Sequence, residues 1–559
     1  MADSDRTAPA LPVTERGTAA APSLSEAQLH RLFSHGEQRD VQVGELLYAA
    51  GETPDLVVID SGVIELVRAA TPDSPAAVVA THGRGRFVGE LNLLTGQNTF
   101  LSARVAEPGR VYRITPARFR QLMDTDPELS DVLLRAFLAR RELMLRGPAS
   151  NSFEIVGSGM TAAALALRTY AARQRLPHVW FDSDSVAGQA FLKTVQLSAD
   201  ELPAVVTPNR VLKGATPGKL AELVGLSYVR AADKPVDLTI IGAGPAGLAA
   251  AVYGASEGLA TVLIDAVGTG GQAAASSRIE NYLGFPSGLS GADLTGRAAV
   301  QALKFGAELS SPCEVVKLDC ANGQLRVLLS DDVSIESRAV IIATGARYRA
   351  LPLDRWADFV GAGIYYAATE LEARSCGGEP VAVVGGANSA GQAAIYLAGR
   401  GNPVTLVVRG ADLYAGMSSY LVERLLANPA VTNRTRSEVV GLAGDGHLGA
   451  ITLNTAGSTD DIPCAGLFCF IGALPATDWL TGIALDDDGF VRTDAQLTAD
   501  DLGATWSALG RAPLPFETNV PAVFAVGDVR LGSMKRVAAA VGEGASAVHS
   551  VHTAIGLRV

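Results

Sequence analysis

The stretch Asp237-Leu238-Thr239-Ile240-Ile241-Gly242-Ala243-Gly244-Pro245-Ala246-Gly247-Leu248-Ala249-Ala250 constrains this chain more than any other. A β-branched apolar run feeds a Gly-x-Gly-x-x-Gly turn, and small residues follow at helix-packing positions, so strand, turn and helix are predicted in that order. Gly242 permits the tight turn, Gly244 lets the backbone approach a pyrophosphate on the helix N-terminus, and Gly247 lets helix and strand pack closely. A second apolar run at 260–264 ends in Asp265. That acid falls roughly 20 residues past the turn, where a ribose hydroxyl needs an acceptor. Residues 238–256 carry no charge and are about long enough to be mistaken for a membrane span. The glycines, Pro245 and the strand-like first half make them a buried βα unit instead.

At 559 residues the chain has material for three or four domains. Hydrophobic residues make up 48% and charged residues 19%, so it is globular rather than disordered, and a net charge of −12 disfavours non-specific binding to nucleic acid or anionic membrane. No apolar segment follows the start Met1-Ala2-Asp3-Ser4-Asp5-Arg6, so no secretion signal is expected. Five cysteines in this length are no disulfide framework, which predicts a reducing, cytoplasmic location.

Residues 1–23 are rich in Ala, Pro, Thr and Ser without apolar periodicity, and a disordered tail is expected there. Residues 24–148 read as a short helix, many short strands and a long final helix. Strand-like runs at 45–48, 56–59 and 63–67 are cut by turns at Gly51 and Asp60-Ser61-Gly62. With Phe87-Val88-Gly89-Glu90-Leu91-Asn92-Leu93-Leu94-Thr95-Gly96 and then Leu101-Ser102-Ala103-Arg104-Val105, this segment resembles the cyclic-nucleotide-binding β-roll of the catabolite activator protein superfamily. The resemblance implies that Glu90 would meet a ribose 2′-hydroxyl and that an arginine directly before Ser-Ala would hold the cyclic phosphate. Leu101 stands there instead, which removes charge-assisted hydrogen bonds, so a retained nucleotide site is not expected. The superfamily's transcription factors continue into a helix-turn-helix. Here Arg146-Gly147-Pro148 breaks the chain and no basic helical pair follows, so DNA binding is not expected.

Residues 149–230 alternate strand (153–156), helix (161–175), strand (178–181), helix, strand (202–206) and closing helix. This resembles a small thioredoxin- or glutaredoxin-like domain, with Pro203 where that family carries a cis-proline. The family's Cys-x-x-Cys would fall at Gly157-Ser158-Gly159-Met160-Thr161-Ala162, and no cysteine is present, so a structural or docking role is expected.

After the first βα unit come Gly270-Gly271-Gln272, Glu280-Asn281-Tyr282, Val340-Ile341-Ile342-Ala343-Thr344-Gly345-Ala346 and Val523-Phe524-Ala525-Val526-Gly527-Asp528-Val529. Between them lies a second βαβ pattern, Val381-Ala382-Val383-Val384-Gly385-Gly386-Ala387-Asn388-Ser389-Ala390, with a strand ending in Arg409. From about residue 236 the chain resembles the low-molecular-weight thioredoxin reductases. The resemblance implies a multidomain chain in which a β-roll and a small thioredoxin-like α/β domain precede two Rossmann-like domains, the second inserted in the first. An FAD domain (236–352 plus 473–559) would enclose an NAD(P)H domain (353–472), in a homodimer.

Carried onto matching positions, Gly242, Gly244, Pro245, Ala246 and Gly247 would cradle the FAD pyrophosphate and Asp265 its adenosine ribose. Gln272 and Asn281 would flank the isoalloxazine, Asp528 would hold the ribityl chain, and Gly271, Thr344, Gly345 and Gly527 would complete the site. The helix starting at Arg536-Val537 would aim its N–H groups at the flavin N1–C2=O edge. Arg536 replaces the family's usual glutamine. Gly385, Gly386, Ala387, Asn388, Ser389 and Ala390 would hold the second dinucleotide. Ala387 stands where glycine is usual, and Arg409 favours a 2′-phosphate, hence NADPH over NADH. The reductases' redox Cys-x-x-Cys would fall in Tyr365-Tyr366-Ala367-Ala368-Thr369-Glu370, where Ala367 and Glu370 take the cysteine positions. Cys464 and Cys469 are read as lying on one strand and facing opposite sides, and Cys376 as a buried structural thiol.

The expected function is therefore hydride transfer from NADPH to flavin and on to an unidentified acceptor, without a protein disulfide relay. A thioredoxin-disulfide reductase using a non-standard thiol, or a flavin-based redox or ligand sensor, are the alternatives. No metal site and no membrane partner are expected.

Overall fold

The computed structural model describes residues 19–146, 149, 152–159, 161–226, 236–276, 279, 281–320, 323–368 and 370–556. Of the tail expected at 1–23, residues 1–18 lie outside the described residues, as do Gly147, Pro148, Met160, Glu280 and Thr369, while Ala20 is described and buried.

Alternating side chains build the N-terminal unit. The strand Val63–Arg68 buries every second residue, as a strand covered on one face should. Gly51 and Gly62, both at positive φ, turn the chain between strands. One antiparallel sheet orders Glu37–Val41, Gly109–Ile114, Leu56–Ile59 and Phe87–Val88; the other orders Leu46–Tyr48, Ser102–Glu107, Val63–Arg68 and Ala77–His82. Ser25 caps the helix Glu26–His35 through a reciprocal pair of bonds with Gln28. The long helix Pro127–Arg146 closes the roll.

The middle segment forms a sheet ordered His178–Asp182, Phe153–Gly157, Ala204–Thr207, Arg210–Leu212, the first two parallel and the rest antiparallel. Parallel neighbours need a crossover, and the helix Ala162–Arg173 supplies it. Expected over 161–175, this helix starts after its cap Thr161 and stops short of Arg175, whose φ of 51° cannot continue it. The Leu202–Pro203 peptide is cis, as the resemblance implied.

Two units built on parallel strands follow. In the first, the strands Glu308–Ser310, Thr261–Ile264, Val236–Ile241 and Ser334–Ile342 are parallel neighbours, and Val523–Ala525 returns from far along the chain to pair parallel with Ser334–Ile342. In the second, Ile364–Tyr365, Gly466–Cys469, Val381–Val384, Val404–Val408 and Val431–Thr435 form a parallel sheet. The uncharged stretch is a strand, Val236–Ile241, feeding a largely buried helix, Pro245–Ser256. Among the described residues no helix is long and apolar enough to cross a membrane.

The middle segment is wedged between its neighbours. One apolar cluster joins Phe100, Leu101 and Val105 of the roll to Phe153, Ile155, Tyr170 and Leu226. On its other side Tyr170 donates through its hydroxyl to Ser311 O at 3.0 Å, and Gln174 Nε2 donates to Ser311 Oγ at 2.6 Å. The roll also meets the first parallel unit directly, through Val300 of the helix Gly291–Lys304 in the cluster of Leu91, Leu94 and Phe137. Phe153, 3% exposed, is the hinge of this packing. Phe153→Ala should cost about 3–5 kcal/mol from lost burial and the cavity left behind; urea titration followed by tryptophan fluorescence should show the roll and middle segment unfolding at a clearly lower midpoint.

Candidate active site

In the first fingerprint each glycine meets a different constraint. Gly242 has φ +108°, and a Cβ there would lie 2.3 Å from Ala343 O. A Cβ on Gly247 would lie 1.9 Å from Gly242 O, so the helix sits on its strand by backbone contact. Gly244 is unlike both: φ is −74°, and the nearest atom to an added Cβ is Gly271 Cα at 4.0 Å. It faces open space at a helix N-terminus, where backbone N–H groups and the helix dipole favour an anion.

That space is part of a cavity of about 830 Å³, within the range of roughly 300–1,000 Å³ that cofactor-sized ligands need. Gly242, Gly244, Pro245, Ala246, Asp265, Gly271, Gln272, Thr344, Gly345, Gly527, Asp528, Arg536 and Val537 all line it. Gly247 lies behind it as a packing residue. Asn281 is exposed and does not line it.

Asp265 ties two loops together. Its Oδ2 accepts from Ala243 N, and its Oδ1 accepts from Val267 N and Gly268 N, each at 2.8 Å. Gln272 Nε2 donates to Ala346 O at 2.5 Å. At the far wall the helix Val537–Ala554 starts from its cap Arg536 and presents Val537 and Ala540 to the cavity. A Cβ on Gly544 would lie 2.0 Å from Ala246 O, so this helix meets the fingerprint helix backbone to backbone. Burial pushes the Asp528 carboxyl up, with the Lys535 ammonium opposing.

Sequence reasoning missed several lining residues. Lys535 donates to Asp528 O at 3.4 Å and stands 4.3 Å over the Phe490 ring; its place beside Arg536 was the available signal. Tyr348 lines the cavity and stacks on Tyr366, ring centroids 5.3 Å apart, while Trp356 Nε1 donates to the Tyr366 hydroxyl at 3.0 Å. Cys313 also lines it. Arg173 reaches in from the middle segment, and nothing in its local sequence announced that.

The second fingerprint is open to solvent. Gly385 has φ +149°, and a Cβ there would lie 2.5 Å from Phe470 O. Gly386 is roomier, with Val408 Cγ1 at 3.4 Å from a Cβ. Ala387 caps the helix Asn388–Gly399 in extended conformation, so its methyl is accommodated without backbone strain. Ala387, Asn388 and Ser389 are exposed and Ala390 is buried. Asn388 Oδ1 accepts from Ser418 N at 2.8 Å. Arg409 is exposed, directly after the strand Val404–Val408.

Ala367 and Glu370 occupy the two positions that the resemblance assigned to the redox pair. Glu370 accepts from Arg374 Nε at 2.8 Å, Arg400 Nη2 at 2.5 Å and the Tyr396 hydroxyl at 3.3 Å, which fixes it in a network of ion pairs. None of the five cysteines forms a disulfide. Burial pushes Cys376, Cys464 and Cys469 each up to about 12, and Cys320 up to about 11. The expectation that Cys464 and Cys469 face opposite sides of one strand is corrected: the strand begins at Gly466, and both side chains enter the same apolar cluster.

In the roll, the cassette's polar groups are engaged internally. Arg141 Nη2 lies 3.5 Å from Glu90 Oε2 and donates to Asn92 Oδ1 at 2.5 Å, and Arg141 Nη1 donates to Gln97 Oε1 at 3.1 Å. Burial pushes the Glu90 carboxyl up, against the pull of Arg141 and Arg140. Leu101 is 5% exposed in the cluster shared with the middle segment. Arg104 pairs with Glu65 at 2.7 Å.

Residues 236–544 match the pyridine nucleotide-disulphide oxidoreductase family. Thioredoxin reductase of Peptoclostridium acidaminophilum is 33% identical over 320 residues, 56% of this chain and 94% of that one. The chain belongs to the thioredoxin reductase family. It is an NAD(P)H-dependent flavoprotein oxidoreductase of that family, whose members use FAD and NADPH. Thioredoxin reductase of Streptomyces coelicolor is 32% identical over 321 residues, 56% of this chain and 91% of that one. The crystal structure of Lactococcus lactis thioredoxin reductase matches with 26% identity and a TM-score of 0.49, covering 57% of this chain and 99% of that one. Residues 38–126 match the cyclic nucleotide-binding domain, so the roll is a domain of that type.

Gly244→Val separates cradle from fold, because a Cβ at Gly244 comes no closer to the rest of the protein than 4.0 Å, at Gly271 Cα, and lies on the cavity side. The variant should purify folded, with the circular dichroism of wild type, but without the flavin absorbance of the wild-type protein.

Proposed function

We propose that the chain takes hydride from NADPH onto FAD held in the 830 Å³ cavity and passes the electrons on without a protein disulfide. The observation that carries this reading is a cavity lined by the first fingerprint, Asp265 and Asp528 in a chain that has Ala367 and Glu370 at the positions of the redox pair. Bound there, FAD supplies a two-electron store that accepts hydride and releases electrons singly or in pairs. The chain's own residues bind and orient. Gly244 and the helix N-terminus behind it hold the pyrophosphate, Asp265 the adenosine ribose and Asp528 the ribityl chain. The N-terminal N–H groups of the helix Val537–Ala554 stabilise negative charge at the ring edge, and Arg536 adds a cation there. Arg409 and the second fingerprint hold NADPH by its 2′-phosphate, with NADH the weaker donor.

The domain reading follows the same lines. The return of Val523–Ala525 to the first parallel unit supports a nicotinamide domain (353–472) inserted in the flavin domain (236–352 and 473–559). The sheet order of the middle segment supports a thioredoxin-like fold, here without thiols and serving as a docking module. A cytoplasmic homodimer is part of the proposal. The acceptor belongs to a class that takes electrons directly from flavin: a quinone, dioxygen, a redox protein or a small molecule.

A second reading, a redox sensor, is favoured by the packing of the roll and middle segment against the flavin domain. Steady-state NADPH oxidation separates the two, since a sensor is reduced once and stops.

A variant with all five cysteines replaced by serine or alanine should show NADPH-to-flavin reduction at the wild-type rate in single-turnover flavin bleaching. Both it and wild type should reduce ferricyanide or a quinone but not thioredoxin. At pH 8 the buried Cys376 thiol, pushed up to about 12, is ionised only to about one part in ten thousand, so iodoacetamide should leave Cys376 unmodified. Robust thioredoxin turnover that vanishes on mutating Cys376 would overturn the proposal.

Arg409→Ala should raise the KM for NADPH by about tenfold, the low end of a charge-assisted phosphate contact at an exposed site, and leave that for NADH unchanged. Titration calorimetry of the full chain with cyclic AMP or cyclic GMP at micromolar concentration should give no isotherm, because Leu101 occupies the phosphate-anchoring position and Arg104 is held by Glu65.

A further inference from the structure

The middle segment puts one charged side chain into the flavin cavity. Arg173 is the last residue of the helix Ala162–Arg173 and shares the cavity wall with Gly244 and Asp265. Its position is built rather than incidental. Gly268 has φ +151°, and a Cβ on it would sit 3.2 Å from Arg173 Cβ, so the flavin-domain loop comes up against the arginine stem at a glycine. Arg173 Nη1 donates to Gly268 O at 3.5 Å, and Thr269 Oγ1 donates to Arg173 O at 3.4 Å. The same loop donates Gly268 N to Asp265 Oδ1. Tyr170 and Gln174, on either side of Arg173, both bind Ser311.

The other cations lining the cavity belong elsewhere. Arg347 pairs with Asp478 at 3.3 Å, Lys535 binds Asp528 O, and Arg536 caps the helix at the far wall. Arg173 stands instead with Asp265 and the fingerprint turn, at the end where a nucleotide diphosphate carries its charge. One of its five N–H donors reaches Gly268 O, leaving a planar fork suited to phosphate oxygens.

We propose that Arg173 is a cofactor-binding residue supplied by the middle domain, holding the adenosine diphosphate half of FAD, so that flavin retention depends on the docking of that domain. The proposal rests on the cavity being the FAD site. By linkage, FAD in turn strengthens the docking of the middle domain by the same factor.

The test is equilibrium titration of full-length protein stripped of flavin, with FAD and separately with ADP. Arg173→Ala should weaken both ligands together by about 10- to 100-fold, the range of a lost charge-assisted phosphate contact, while the melting temperature of the flavin-free protein stays at the wild-type value. Arg173→Lys, which keeps the charge but loses the fork, should fall between. FAD and ADP affinities unchanged in Arg173→Ala would overturn the proposal, as would a loss confined to FAD. Should Arg173→Ala fail to fold, an ADP affinity in Arg173→Lys equal to wild type overturns it equally. Wild-type protein that binds neither FAD nor ADP would refute the cavity assignment itself, an outcome distinct from all of these.

Discussion

Backbone-to-backbone packing around one helix is the constraint on which the flavin half depends. The helix Pro245–Ser256 touches its own strand at Gly247 and the C-terminal helix at Gly544, in both places with less room than a methyl group needs. These two approaches set the distance between the fingerprint turn and the N-terminus of the helix Val537–Ala554. Each helix then directs its N-terminal dipole into one cavity from a different wall. A side chain at either glycine would push these N-termini apart, and an electrostatic site built from helix ends loses strength steeply within the first turn.

Asp265 extends that rigidity outward. Backbone N–H groups from two loops converge on its carboxylate, and the middle segment rests on one of them, the loop of Val267 and Gly268, through Arg173. The middle segment in turn shares an apolar cluster with the interior of the roll. The three parts thus meet through buried contacts. In the roll the Glu90–Arg141 pair is held in the interior, with Asn92 and Gln97 accepting from the guanidinium, and removing one partner would leave the other charge buried and unpaired.

Much was legible in the residues themselves. The first fingerprint, the strand before it and Asp265 could be read because a Rossmann turn imposes its glycines locally, at fixed spacing. The same holds for the strand Val63–Arg68 of the roll, where burial alternates, and for the absence of cysteines at 367 and 370. Reading Cys464 and Cys469 as opposite-facing failed because alternation applies only within a strand, and the strand begins at Gly466.

The sequence by itself determined the two glycine-rich turns, the absence of cysteine at 367 and 370 and the presence of leucine at 101, since each is a matter of which side chain stands at a locally defined position. Only the tertiary structure decided that Arg173 and Cys313 line the same cavity as the first fingerprint, that Asn281 lies exposed outside it, and that Leu101 is buried beneath a second domain. These facts depend on contacts between residues far apart in the chain, whose geometry is set by how whole domains dock. No local period or spacing carries that information.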